Sequence, residues 1–69
     1  MNTQIDKRIR ELRLENNLNQ AELASLCSVK QSCVSKWERG ETYPDPETII
    51  LLTEIFKVSA DYLLGIIDF

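Results

Sequence analysis

The stretch SVKQSCVSKWERG, residues 28–40, places two unlike faces on one short helix. At about 100° per residue, Gln31, Ser32, Ser35, Lys36 and Arg39 fall within an arc of roughly 140°, and Cys33, Val34 and Trp37 fall opposite. The apolar arc reads as an ordinary core stripe. The polar arc is not saturated with charge; two small serines stand among longer hydrogen-bonding side chains. It is either a solvated face or a surface shaped to lie close against something.

Working outward, Asn19 followed three residues later by Glu22 is the pairing of a capping box, which starts a helix over residues 20–27. Leu23, Ala24 and Cys27 form its inward stripe. Only Ser28 and Val29 clearly intervene before the next helix, so the two helices must cross at a steep angle, with small Ala24 at the crossing. A first helix spans residues 4–15, with Thr3 as cap, Asp6 as its box-like partner, and Ile5, Ile9 and Leu12 on one face. Leu14 falls off that stripe, and Asn16-Asn17 ends the helix. Gly40 ends the third helix, and ETYPDP is a loop in which Asp45 caps a fourth helix and Pro46 takes its first position. Ile49, Leu52, Ile55 and Phe56 give that helix a core face, while Ile50 and Leu51 make it apolar on other sides. Ser59 caps a short fifth helix over residues 60–64, and Gly65 leads into the apolar tail IIDF. No strand pattern or repeat interrupts this all-α, five-helix reading of residues 1–69 as one domain.

Composition narrows the function. Sixty-nine residues lie near the lower limit for a core without metals or disulfides, with little room for a deep pocket or a separate effector domain. There is no histidine, the commonest general base, and Cys27 and Cys33 lack metal-binding spacing, so neither an enzyme nor a metal site is expected. No cofactor or small-molecule site is evident. The longest apolar run, IILL, has four residues, so no membrane span is expected. The N-terminal MNTQIDKRIR carries no signal-like apolar region, which makes the cytoplasm the expected compartment. Net charge is −3, yet it is polarised: residues 1–40 carry seven cationic and five acidic side chains (+2), residues 41–69 one and six (−5).

The segment LNQAELASLCSVKQSCVSKWERG, residues 18–40, resembles the helix-turn-helix of the phage Cro and repressor proteins and their bacterial xenobiotic-response-element relatives. The resemblance runs on through YPDPETIILLTEIFKVSADYLLG, residues 43–65, and so covers nearly the whole chain. It implies a lambda-repressor-like domain, with the helix-turn-helix at about residues 20–39. It also implies that the helix from Gln31 enters the DNA major groove with Gln31, Ser32 and Lys36 facing base edges. Their chemistry suits that role: glutamine bonds adenine in two places, lysine reaches guanine acceptors, and serine pairs permissively. Ser35 and Lys30 flank this set. By the same resemblance Gln20, Asn19 and Arg39 match backbone-contacting positions, and Arg13 with Glu38 matches a structural ion pair. The count of cations, not the resemblance, adds Arg8 and Arg10 as candidates for phosphates.

Three features depart from the family pattern. Ser28 stands where a turn glycine is usual, at a cost of about 1 kcal/mol if left-handed. Lys30 replaces a capping serine or threonine, and the ETYPDP loop is acidic where many relatives carry lysines. The expected function is a sequence-specific double-stranded DNA-binding transcriptional regulator, a repressor, acting as a homodimer on a two-fold operator. Pairing is expected through Ile50, Ala60, Tyr62, Ile66, Ile67 and Phe69. The rival is a protein-interaction module of the same fold, an antitoxin or regulatory subunit whose acidic half meets a protein partner.

Overall fold

Five of the described residues have left-handed backbone, and each one closes a helix. Asn17, Ser28, Gly40, Lys57 and Gly65 have φ of 58°, 57°, 72°, 56° and 82°. After each, the next N–H donates to the carbonyl five residues back: Leu18 to Arg13, Val29 to Ala24, Glu41 to Lys36, Val58 to Thr53 and Ile66 to Asp61, at 2.9–3.1 Å. This is the Schellman closure, which satisfies carbonyls that a helix end otherwise leaves without partners. The helices so delimited are α1 (Ile5–Glu15), α2 (Gln20–Cys27), α3 (Gln31–Glu38), α4 (Pro46–Phe56) and α5 (Ala60–Leu64) in the computed structural model, which describes residues 4–67. Ser28 does adopt the left-handed conformation, so the strain expected of a non-glycine there is present.

The starts follow side-chain chemistry as closely as the ends follow backbone chemistry. Asn19 Oδ1 accepts from Glu22 N–H at 2.7 Å, and Glu22 Oε1 accepts from Asn19 N–H at 2.9 Å, completing the capping box of α2. Asp45 Oδ1 accepts from Thr48 N–H at 2.8 Å with Pro46 opening α4, and Ser59 Oγ accepts from Tyr62 N–H at 3.0 Å. The Asp45 carboxyl is held below its ordinary pKa, chiefly by its bonds to Thr48. Lys30 precedes α3 without any side-chain cap, as its chemistry requires. The first helix departs from expectation. Gln4, with no capping side-chain bond, occupies the cap position and α1 begins at Ile5, one residue later than its pattern suggests. Thr3 lies outside the described residues.

One core joins the helices. Ile5, Ile9 and Leu12 meet Leu23, Ala24 and Cys27, then Val34 and Trp37, Leu52 and Phe56, and Leu63. Ile49, Leu51 and Ile55 lie half-buried against it, whereas Ile50 is turned to solvent, and so is Leu14, which has no place on the buried stripe of α1. Helix α3 packs on both α2 and α1, and α5 packs on α1 and α4. Gln4 N–H donates to Leu64 C=O at 3.3 Å, tying the start of α1 to the end of α5. The result holds α3 by one side and leaves its other side open.

Candidate nucleic-acid interface

Burial divides α3 along the line that its sequence draws. Val34 and Trp37 are buried and Cys33 half-buried; Gln31, Ser32, Lys36 and Arg39 are exposed, and Ser35, on the same polar arc, is half-buried. Lys30 is exposed just ahead of them. The exposed row therefore combines a carboxamide, a hydroxyl and an ammonium on a helix whose orientation the core fixes. These are the donors and acceptors that read base edges.

A largely buried ion pair ties this helix to α1. Arg13 Nε donates to Glu38 Oε2 at 2.6 Å and Nη2 to Oε1 at 3.1 Å, a two-pronged contact between α1 and α3. Nη1 donates to Leu18 C=O at 2.9 Å, and Gln20 Nε2 donates to Glu38 Oε1 at 3.1 Å. The hydrogen bonds to Glu38 are the main cause of a raised Arg13 pKa, with burial opposing them. One carboxylate thus gathers α1, α2 and α3 into a single polar knot. Gln20 has a part in that knot besides the backbone contact expected of it. Its Nε2 has two hydrogens, so one serves Glu38 while the other stays available to a ligand. Asn19 likewise commits its side-chain oxygen to the cap and keeps its Nδ2 hydrogens.

Arg10, Arg13, Gln20, Ser35, Glu38 and Arg39 line an open cleft of about 320 Å³ beside the exposed face of α3. Arg13 and Glu38 offset one another there, which leaves the Arg10 and Arg39 guanidinium groups as the remaining cations of its lining. Arg8 belongs elsewhere: its guanidinium sits over the Tyr62 ring, 4.2 Å from the centroid, bracing α1 against α5. Of the two additional cations that the sequence offers for phosphates, the cleft holds Arg10. Arg39 holds a further surprise. Its Nε donates to Glu41 Oε2 and its Nη1 to Ser35 Oγ, so a carboxylate stands at the edge of the basic surface. That partnership is missing from the sequence reading, which registers only an acidic loop.

The residues expected at a subunit contact lie away from these. Ile50 and Ile66 are 60% and 68% exposed, Ala60 is exposed, and Tyr62 and Ile67 are half-buried. Phe69 lies outside the described residues.

Fold and site together define a compact domain that clamps one short helix by its apolar side and presents the other beside a basic cleft. The chain belongs to the helix-turn-helix family, whose pattern matches residues 9–63. It is 40% identical over 65 residues to repressor protein C2 of Salmonella phage P22, covering 93% of this chain and 30% of that protein. It is 34% identical over 62 residues to the helix-turn-helix-type transcriptional activator BcrR of Enterococcus faecalis, covering 90% of this chain and again 30% of the relative. The chain thus spans less than a third of the length of these two curated relatives. The crystal structure of the P22 c2 repressor with a synthetic operator superposes with a TM-score of 0.83 at 36% identity, covering 88% of this chain and 92% of that one.

Proposed function

We propose that this chain is a sequence-specific double-stranded DNA-binding transcriptional regulator that inserts α3 into the major groove. The observation that carries the proposal is the division of α3: a side locked by Val34 and Trp37, and an opposite row of Gln31, Ser32 and Lys36 open to solvent. Likeness to a repressor solved with its operator supports it. The P22 relative is a repressor and the more distant E. faecalis relative an activator, which favours repression. In this reading Gln31, Ser32 and Lys36 specify the site, and Asn19, Gln20, Lys30, Ser35, Arg39 and Arg10 position the domain on phosphates and flanking groups. No catalytic role is assigned, and the working compartment is the cytoplasm. No helix among the described residues is long and apolar enough to cross a membrane.

The protein works as a homodimer in this proposal. Ile50 and Ile66 are large apolar side chains left in solvent on the acidic half, while the basic half must stay open to DNA. Pairing there places two recognition helices about 34–36 Å apart, one turn of the duplex. A protein partner for the acidic half is the competing use of the same surface.

Gln31→Ala tests the base-reading role. Because Gln31 is exposed, the substitution leaves the melting curve unchanged. Binding to the best site weakens by about 1–3 kcal/mol, with little change on scrambled duplex. Titration of both duplexes with both proteins checks this. Equal losses on the two would show that Gln31 does not read bases.

A further inference from the structure

The closure of α3 differs from the other four in one respect. After the left-handed residue, the position that donates to the carbonyl five back holds Leu18, Val29, Val58 and Ile66 at the ends of α1, α2, α4 and α5. An apolar residue is usual there, because it packs back on the helix it closes. At the end of α3 the position holds Glu41, fixed by its N–H bond to Lys36 C=O at 3.0 Å, with Gly40 at φ 72° supplying the turn. That backbone places the Glu41 carboxylate on Arg39, whose guanidinium also reaches Ser35 on the reading side of the helix. The two side chains are 55% and 51% exposed, so an incoming anion can reach them.

We propose that Glu41 is a built-in competitor of the DNA phosphate, a carboxylate that occupies the Arg39 guanidinium in the free protein and weakens the domain's hold on any duplex. The inference rests on the DNA-binding reading above. A phosphate and a carboxylate offer a guanidinium the same pair of acceptor oxygens. An exposed ion pair is held weakly enough for a phosphate to take over one partner. The exchange still leaves Glu41 as an unpaired negative charge beside the DNA backbone. Arg39 therefore brings almost no net charge to the complex, although it lies on the basic face. Its share of counterion release is cancelled, and with it a share of the affinity for random DNA, which is almost wholly electrostatic. The Glu41 carboxyl, ionised at neutral pH like any free glutamate, is held lower still, first by its bond to Arg39 and then by the charges of Arg39 and Lys36.

The test compares wild type, Glu41→Gln and Glu47→Gln on a selected site and a scrambled duplex across a salt series, with thermal melts alongside. Glu47 is another exposed carboxylate of the acidic half. Glu41→Gln should tighten binding to scrambled duplex by about three- to tenfold. It should also steepen the slope of log affinity against log salt by about 0.9 per subunit, one recovered phosphate contact. Glu47→Gln should leave the slope where it is. Arg39→Gln added to Glu41→Gln should return the slope to the wild-type value, because both charges are then gone. An unchanged slope for Glu41→Gln with wild type still binding DNA overturns this inference alone. Equal steepening by Glu47→Gln overturns it too, since bulk charge would then be the cause. No binding of either duplex by wild type overturns the DNA reading and this inference with it.

Discussion

Trp37→Ala lowers the melting temperature by about 12–40 °C. The side chain is 5% exposed and sits where α3 meets the core formed by α1 and α2. Emptying such a site costs about 3–5 kcal/mol, the transfer of the indole plus the cavity it leaves. A chain of 69 residues has on the order of 3–10 kcal/mol of total stability at ~0.05–0.15 kcal/mol per residue. The loss therefore consumes a large part of it, and any fall in DNA binding follows the unfolded fraction rather than a lost contact. Far-UV circular dichroism during a thermal melt reads this directly. A cooperative melt within a few degrees of wild type would place Trp37 outside the core and invert the two faces of α3.

Arg13→Ala comes next in size. Glu38 keeps only 6% of its side chain exposed, and without the guanidinium its charge is left with the Gln20 amide. Leu18 C=O loses its donor in the same step. Removing one partner of a buried pair costs about 3–5 kcal/mol, far more than the pair adds over two apolar residues. The double substitution Arg13→Ala, Glu38→Ala should accordingly cost much less than the two single ones summed, because it leaves no stranded charge. Urea denaturation of the three variants and wild type measures the coupling. A single-site cost under about 1 kcal/mol would mean that this pair behaves like a surface one.

The parts of the fold governed by neighbouring residues are legible in the sequence. The Asn19–Glu22 box, the Asp45-Pro46 start, the Ser59 cap and the left-handed Asn17 and Gly40 all depend on residues within five of one another. The apolar stripe of α3 is legible for the same reason. The start of α1 is less so, because Gln4 is held by Leu64 from the far end of the chain rather than by a side-chain cap. The short connection between α2 and α3 makes their crossing legible, whereas contacts between helices farther apart in the chain are legible only where a resemblance supplies them, as with Arg13 and Glu38, which stand 25 residues apart. Arg8 on Tyr62 and Gln20 on Glu38 have no local signal at all. Arg39 and Glu41 are only two apart, but their meeting depends on the left-handed turn at Gly40. Spacing rules for a continuing helix pass over such a pair.

Selection of duplexes from a random library by the wild-type protein tests the account's central claim, that the open face of α3 reads base sequence. The predicted result is a two-fold related motif with half-sites about 10 base pairs apart, centre to centre, or a multiple of that spacing. At physiological salt it should be bound at least about 10³-fold more tightly than a scrambled duplex of equal length. Recovery of no motif, or of sequences bound no better than the scrambled duplex, would contradict it.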